Sequence, residues 1–290
     1  MNEIDAKIIL VDYSTIKIEC LLSFGDNNSH HFFIPNKNVL SDFHISENEK
    51  EIKFLKVDSN KYSTIEIPIG GNKIYNVSYT IHLQKFHSKR NFYSNNNQLF
   101  ILPELNIFPK FKSDFIPEKI LYSIDIFDNN NDYNFHYNKV KKKELLQPPS
   151  LIFGNFNTIS FDNLTIYSPK DIEIDTTKLK DIVSVIKESE EYYSRIIEDI
   201  KYHDNEIKVF FLNRSGGHGH LGGLILDQKY ITKNSNKVAS KELIAHEIAH
   251  LWWGGKVIAS SSSINESLAE FYSYLYLSNK KEKSSRDFFS

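Results

Sequence analysis

The spacing of apolar residues divides the chain into two parts. In the first part, β-branched and aromatic residues alternate with polar ones over short segments separated by turns rich in Asn and Gly. The clearest of these segments are Lys7–Val11, Thr15–Leu22, Lys73–Leu83 and Lys119–Ile126. Many short strands at this spacing predict an antiparallel β-sandwich or saddle-shaped sheet for residues 1–169.

In the second part, apolar residues recur with the period of a helix. They predict a long amphipathic helix over residues 179–200, followed by a short apolar strand at Ile207–Leu212. A glycine-rich segment, residues 215–226, then ends in a further strand. We therefore expect an α+β fold with two domains, residues 1–169 and residues 170–290.

Another helix is predicted after Ser240, a residue type that caps helix N-termini. The pair Gly254–Gly255 favours a stop at its far end. Ile244, Ile248 and Trp252 recur every four residues and form its apolar stripe. This helix is therefore expected to bury one face in the second domain.

The same helix carries the sequence His246-Glu247-Ile248-Ala249-His250. Its two histidines are four residues apart, so both imidazoles leave the helix on one face, about one turn apart. Such a pair can hold one zinc ion, and Glu247 beside it can take a proton from an attacking water. Because the pattern also arises by chance, a third ligand is needed to distinguish a metal site from an ordinary helix.

Candidates for the third ligand lie in a further helix predicted downstream. Glu266 and Glu270 stand one turn apart on it, on a different face from its apolar residues. A carboxylate on the next helix is what a catalytic zinc site of the His-His-Glu type requires. Without the histidine pair, Glu266 would instead suit the first helical turn, where it favours the helix dipole and pairs with Ser263. The predicted apolar stripe of this helix consists of Ile264, Leu268, Phe271 and Leu275.

Both helices resemble those of the aminopeptidase N family of zinc peptidases, a gluzincin family that also includes leukotriene hydrolase. The family's first helix reads His-Glu-x-x-His and continues Gln-Trp-Phe-Gly, and its third ligand lies in Leu-Asn-Glu-Gly. This chain has His-Leu-Trp-Trp-Gly at residues 250–254 and Ile-Asn-Glu-Ser at residues 264–267. The resemblance implies a thermolysin-like catalytic domain with a zinc-binding helix.

The resemblance also implies residue roles, with Glu247 as general base and one zinc ion bound by His246, His250 and Glu266. The interval between the second histidine and Glu266 is shorter than in the larger family members, which a shorter loop explains. Glu270 would give the longer interval of thermolysin-like enzymes. The asparagine before Glu266 matches the family's motif and favours Glu266, which leaves Glu270 as a carboxylate that orients a histidine ligand.

The glycine-rich segment departs from the family, which has Gly-Ala-Met-Glu-Asn there. In the family, this strand binds substrate backbone and its glutamate fixes the substrate's free amine. Aligning Gly223 and the two residues after it with the family's Gly-Leu-Ile puts His220 in the place of that glutamate. The resemblance thus implies substrate contacts from His220, Gly222 and Gly223, with the glycines allowing a close approach. Alternatively, His218 and His220 belong to a polar loop that does not touch substrate.

A second departure concerns the family's catalytic tyrosine, which stabilises the oxyanion from a helical region beyond the third ligand. No counterpart can be assigned between Glu266 and Ser290, because Tyr272, Tyr274 and Tyr276 lie on the ligand helix itself. The resemblance therefore implies a member that lacks the carboxy-terminal helical domain. Either the chain is a truncated member, or a second chain or self-association completes the site and covers the apolar surface left open.

The amino-acid composition limits which binding partners and which cellular locations are expected for this protein. The formal net charge of −2 leaves no basic footprint for nucleic acid. The only cysteine, Cys20, excludes an internal disulfide framework and is expected to be buried among its apolar neighbours. The first residues lack the basic and apolar regions of a signal peptide, and no segment has the ~18 apolar residues of a membrane span. We therefore expect a cytoplasmic protein.

Three functions remain open from the sequence. The first is an aminopeptidase N-like zinc peptidase, which an intact Glu247 favours because a purely structural zinc ion needs no general base. The second is a catalytically weak or inactive zinc-binding member that acts as a peptide-binding or interaction protein, which the missing tyrosine favours. The third is a β-rich interaction protein that carries the histidine motif by accident.

Overall fold

The computed structural model divides into two compact units, Met1–Asn155 and Phe156–Ser290. Sheets are present in both units and the described α-helices lie in the second, so the fold class is α+β. The structure describes residues 2–24, 30–35, 38–59, 62–67, 73–86, 91–95, 97–105, 107–111, 120–128, 133–137, 140–145, 149–197, 206–220, 223–257 and 262–280.

The described part of the first unit is built from strands. The four clearest predicted strands are confirmed and correspond to the first, second, eighth and twelfth of them. In chain order the strands are β1 (Glu3–Asp12), β2 (Thr15–Ser23), β3 (His30–Pro35), β4 (Leu40–Glu47), β5 (Lys50–Glu51), β6 (Leu55–Asp58), β7 (Tyr62–Ile67), β8 (Ile74–His82), β9 (Phe92–Ser94), β10 (Gln98–Ile101), β11 (Lys110–Phe111), β12 (Ile120–Asp128), β13 (Phe135–Tyr137), β14 (Val140–Leu145) and β15 (Leu151–Gly154).

These strands form three sheets. The largest has the order β14-β12-β1-β2-β8-β4-β5, and the smaller ones are β13-β15-β10-β9 and β11-β3-β7-β6. Strand β1 runs parallel to β12, with Glu3 opposite Leu121 and Leu10 opposite Asp128. The expectation of an antiparallel sheet is therefore wrong at this pair. The two strands are distant in sequence, so no tight hairpin turn imposes an antiparallel direction on them.

One face of the large sheet is buried in the core of the first unit. On β1, Ile4 and Ile8 are fully covered, whereas Asp5 on the opposite face is exposed. This alternation follows from the two-residue period of a strand. Cys20 on β2 faces the core as expected, and its thiol donates a hydrogen bond to the carbonyl of Val77.

The second unit combines a sheet with three described helices. In chain order its elements are β16 (Phe156–Phe161), β17 (Leu164–Pro169), α1 (Thr176–Ile196), β18 (Ile207–Leu212), β19 (Gly217–His220), β20 (Gly223–Asp227), α2 (Lys241–Ala249) and α3 (Ser262–Asn279). The sheet order is β16-β17-β18-β20-β19. Strands β17, β18 and β20 are parallel, and the two outer strands are antiparallel to their neighbours. The glycine-rich segment therefore supplies an edge strand, β19.

The division between the units falls between Asn155 and Phe156, not at the expected boundary after Pro169. Strands β16 and β17 form a hairpin, and β17 then pairs with β18 of the same sheet. Residues 156–169 show the same alternating pattern as the strands of the first unit, but the strands with which they pair lie in the second unit. Periodicity identifies a strand without identifying the sheet to which it belongs.

The start of α2 agrees with the sequence, whereas its end does not. The Ser240 hydroxyl accepts a hydrogen bond from the Leu243 N–H at 3.0 Å, as an N-cap residue does. The helix ends at Ala249, before the expected stop at Gly254–Gly255, and tight turns follow. The N–H groups of Leu251 and Trp252 donate to carbonyls three residues earlier, as in a 3₁₀-helix, so the chain is wound more tightly there than in an α-helix. His250 thus lies at the C-terminus of α2.

Helix α3 buries a different face from the predicted one. Its covered residues include Ala269, Ser273 and Tyr276, whereas Ile264 and Phe271 of the predicted stripe are 47% and 40% exposed. Ala269 and Ser273 have short side chains, which allow a neighbouring helix to approach this part of α3 more closely than larger side chains would. None of the described helices is long and apolar enough to cross a membrane.

Candidate metal centre

His246 and His250 project from the C-terminal turn of α2 towards a common point. Their Nε2 atoms lie 3.1 Å apart. The Nδ1 atom of His250 lies 2.9 Å from the carbonyl oxygen of Trp253, which can only accept a hydrogen bond. Nδ1 therefore carries the proton of a neutral His250, and its Nε2 presents a lone pair to the site.

Two carboxylates of α3 flank His246 on opposite sides of its ring. Glu266 lies 3.4 Å from the Nε2 atom of His246 and 3.5 Å from that of His250. Glu270 lies 3.3 Å from the other ring nitrogen of His246, Nδ1, although the two groups are not aligned as a hydrogen bond. The two carboxylates therefore occupy different positions. Glu266 faces the Nε2 atoms of both histidines, whereas Glu270 faces Nδ1 of His246.

The donor set fits a divalent metal ion. Ligand atoms of His246, His250 and Glu266 all lie within 4.8 Å of one another. Two imidazole nitrogens bound to one tetrahedral zinc ion are about 3.3–3.4 Å apart, close to the observed 3.1 Å. With both Nε2 atoms unprotonated, two lone pairs and a carboxylate repel one another, and a cation between them removes this repulsion. Two imidazoles and one carboxylate form the protein ligand set of catalytic zinc sites.

Glu247 lies beside this cluster and is 7% exposed. Its Oε2 accepts a hydrogen bond of 2.7 Å from the N–H of Gly219 on β19. Burial raises the pKa of the Glu247 carboxyl, against the opposing influence of the His246 and His250 imidazoles and of the Gly219 N–H. A buried carboxylate held next to a metal-ligand set is suited to proton transfer.

Aromatic packing behind α2 holds the ligand helices together. The hydroxyl of Tyr193 on α1 donates to the carbonyl of Ala245 on α2 at 3.1 Å. Its ring lies edge-on to Trp252 and to Tyr276 of α3, with centroids 5.7 Å and 6.3 Å apart. One buried tyrosine thus contacts both helices that carry the candidate ligands, which limits how far Glu266 can move from the histidine pair.

The predicted substrate-binding residues lie in and beside the edge of the sheet. The backbone of His220 ends β19 and pairs with Gly223 of β20, while the His220 side chain and Gly222 lie outside the described residues. Strand β20 has β18 on one side and β19 on the other. A substrate backbone therefore cannot pair with Gly223–Leu226, because β20 has no open edge. The edge belongs to Gly217–His220.

Several residues at the site were not predicted from the sequence. Gly217 and Gly219 pack against Glu247, the Trp253 carbonyl contacts His250, and Gly254 makes the following turn with φ +100°. The sequence signals for these contacts were weak, because a glycine indicates flexibility or a close approach but does not show which residue lies next to it. A contact from a backbone carbonyl cannot be predicted from the residue type, because every residue has this group.

No protein-family model matches this chain, and no curated protein matches it in sequence. Among solved structures, Legionella pneumophila aminopeptidase A, in complex with aspartic acid, matches with a TM-score of 0.70 and 17% identity, over 96% of this chain and 37% of that one. An aminopeptidase N family protein from Idiomarina loihiensis matches with a TM-score of 0.58 and 11% identity, over 88% of this chain and 48% of that one. The chain therefore has the fold of part of each protein and spans less than half of its length.

Proposed function

We propose that this chain is a zinc-dependent peptidase of the aminopeptidase N type, which hydrolyses peptide bonds with a metal-activated water. The observation that carries the proposal is the convergence of His246, His250 and Glu266 beside the buried carboxylate of Glu247. The fold shared with parts of two aminopeptidases supports the same activity, and one of them binds an amino acid.

The proposed metal ligands are the Nε2 atoms of His246 and His250 and the carboxylate of Glu266. A zinc ion bound by them would polarise the scissile carbonyl and lower the pKa of a water molecule. Glu270 and the Trp253 carbonyl would keep the two imidazoles in the tautomer that leaves Nε2 free. These two contacts orient the ligands without joining the metal.

Glu247 is the proposed general base. Its carboxylate takes the proton of the attacking water and later passes it to the leaving amine, so that one group serves both steps. Burial favours this role because it raises the pKa of the carboxyl and thereby its affinity for the proton. The N–H of Gly219 holds Oε2 and leaves the other oxygen of Glu247 for the water.

The proposed substrate is a peptide in an extended conformation. Among the described residues, strand β19 is the outer strand of its sheet, and it contacts Glu247 through Gly219, so the edge of the sheet runs beside the proposed base. The N–H of Gly219 is bonded to Glu247, and an extended peptide that pairs with the other main-chain groups of this edge would bring successive carbonyls past the metal ligands. Main-chain pairing gives affinity with little dependence on side chains, which suits a peptidase.

A second chain, or self-association, remains our proposal for completing the site. Support comes from α3, where Ile264 and Phe271 leave apolar surface exposed on the helix that carries Glu266. Light scattering over a range of concentrations tests it, because an assembly increases the molar mass above that of one chain. A constant single-chain mass, together with full activity, would contradict it.

The experiment that tests the proposed function is cleavage of a peptide library by the purified chain. Wild-type protein is expected to cleave peptides, to lose this activity with a chelator and to regain it with added zinc. The Glu247→Gln variant is the matched control, because it retains the metal ligands and removes only the base. It should bind zinc but cleave at least about 100-fold more slowly. Zinc-loaded wild-type protein that binds peptides without cleaving them would support the non-catalytic alternative instead.

A further inference from the structure

The edge strand β19 lies directly against Glu247. Gly217 and Gly219 alternate along it, so the positions where their side chains would stand face the same side. A Cβ atom on Gly217 would come within 2.5 Å of both Cγ and Oε1 of Glu247. One on Gly219 would overlap the carbonyl oxygen of Glu247 and come within 2.7 Å of the Cβ of His250. As the chain is packed, neither position has room for a side chain.

The same strand also binds the carboxylate. The N–H of Gly219 donates to Oε2 of Glu247 at 2.7 Å. Gly219 lies opposite Leu224 of β20, and its N–H donates to Glu247 instead of joining that ladder. A hydrogen bond from a backbone amide to a carboxylate is charge-assisted and fixed in direction, because the donor cannot rotate independently of the strand.

We infer that Gly217 and Gly219 are positioning residues for Glu247, whose carboxylate they hold beside the histidine pair. Because Gly217 has no side chain, it leaves room for the side chain of Glu247. Gly219 lies close against α2 and donates its N–H to the Glu247 carboxylate. This inference rests on the proposed function, because it gives a role to these glycines through the proposed base.

The cradle formed by Gly217 and Gly219 restricts a side chain that is otherwise flexible. A glutamate can adopt several rotamers on a helix, and most of them move its carboxylate by more than the length of a hydrogen bond. A general base must lie within hydrogen-bond reach of the proton that it takes. Displacement of the carboxylate by one rotamer would therefore remove the base without removing the metal ligands.

The two glycines allow the positioning role to be separated from a purely structural one. The three heavy atoms nearest to a Cβ on Gly217 all belong to the Glu247 side chain, so Gly217→Ala displaces that side chain alone. Gly219→Ala meets the backbone of α2 and a metal ligand, so it disturbs the helix as well. Gly216→Ala is the matched control, because this neighbour has φ +77° and no heavy atom within 4 Å of the added Cβ.

The expected results differ among these variants. Gly217→Ala should keep the zinc affinity within about threefold of wild type and lower kcat at least about 100-fold with little change in KM. Gly219→Ala should lose zinc affinity as well as activity. Gly216→Ala should change zinc affinity and kcat by no more than about threefold. In a Glu247→Gln background, Gly217→Ala should cause no further loss of kcat, because its effect passes through the base.

A crystal structure of metal-free Gly217→Ala protein provides a readout that does not depend on activity. The hydrogen bond between the Gly219 N–H and the Glu247 carboxylate should be broken and the side chain rotated away. An intact hydrogen bond, or a loss of kcat that adds to that of Glu247→Gln, would overturn the inference. If wild-type protein cleaves no peptide, the proposed function fails, whereas the displaced carboxylate would still support the role of the glycines.

Should Gly217→Ala fail to fold, Glu247→Ala in the same chain offers a second route. This substitution removes Cγ, Cδ and Oε1 of Glu247, the three atoms that an added Cβ would meet. The double variant should then fold and show a cooperative thermal transition, and a double variant that also fails to fold would contradict the contact on which the inference is built.

Discussion

The Nε2 atoms of His246 and His250 face each other at 3.1 Å, and a different oxygen of Glu266 faces each of them. A carbonyl oxygen behind His250 fixes its proton on Nδ1, which leaves Nε2 without one. With His246 in the same tautomer, the two Nε2 lone pairs and the Glu266 carboxylate repel one another, and a positive charge between them removes this repulsion. The first prediction concerns this charge.

Purified protein is expected to contain about one zinc ion per chain. His246→Ala or His250→Ala should remove it, because each replaces one of three proposed ligands. Zinc at about 1,000 times its Kd would stabilise the folded state by about 4 kcal/mol, so a chelator should lower the melting temperature. Elemental analysis and thermal unfolding provide the measurements. Metal-free protein from a zinc-replete preparation, with no effect of added zinc on melting, would count against the metal centre.

The third ligand can be identified by comparing two carboxylates of the same helix. Glu266→Ala should weaken zinc binding more than Glu270→Ala does, because Glu266 faces both Nε2 atoms and Glu270 faces only Nδ1 of His246. Loss of an orienting carboxylate typically costs ~10–100-fold in metal affinity. Glu270→Gln is a milder control, since it keeps a side-chain oxygen for the position beside Nδ1 and removes only the negative charge. Competition with a chelating dye measures the zinc affinity of all three variants. If Glu270→Ala weakened zinc binding more than Glu266→Ala, Glu270 would be the third ligand.

Gly254 is expected to influence the metal through the backbone. Its φ of +100° allows the turn in which the Trp253 carbonyl reaches His250. Gly254→Ala should strain this turn and reduce zinc affinity by ~10–100-fold, the range for losing a contact that orients a ligand. Gly216→Ala is a matched control with φ +77°.

Both variants of this pair should lose about 1–2 kcal/mol of folding free energy, because alanine is disfavoured in left-handed backbone conformations. Only Gly254→Ala should lose zinc affinity. Equal zinc affinities in the two variants would show that the Trp253 carbonyl does not matter for metal binding.

Substrate choice provides a further prediction. The resemblance to the aminopeptidase N motif puts His220 at the position of the glutamate that binds a free amine, and histidine is neutral near pH 7 at its reference pKa. A desolvated ion pair can discriminate by several kcal/mol, and this chain lacks the carboxylate at that position. Peptides with a free amine and their acetylated twins should therefore be cleaved at rates within about threefold of each other. A loss of 100-fold or more on acetylation would indicate that another carboxylate anchors the amine.

The sequence predicted elements whose pattern is local. The four-residue spacing of His246 and His250 was enough to predict that both lie on one helix face, and Ser240 was enough to predict where α2 begins. Both depend on residues within one or two helical turns. The strand at Ile207–Leu212 was likewise predicted from its own residues.

What could not be predicted depends on neighbours that are distant in the sequence. Parallel pairing of β1 with β12 and the place of β17 in the second unit have no local signature. The buried face of α3 depends on how closely its neighbours approach, which favoured Ala269 and Ser273 over the larger Phe271. Gly217 and Gly219 could be recognised as permissive positions, but not as contacts of Glu247.

The central claim is that His246, His250 and Glu266 hold one zinc ion, and anomalous scattering from crystals grown with zinc tests it most directly. Data collected on either side of the zinc absorption edge should show one strong peak, about 2.0–2.2 Å from the Nε2 atoms of His246 and His250 and from an oxygen of Glu266. The same peak should remain in Glu247→Gln crystals, because the base is not a ligand. No peak at this position, or a peak bound by neither histidine, would contradict the account.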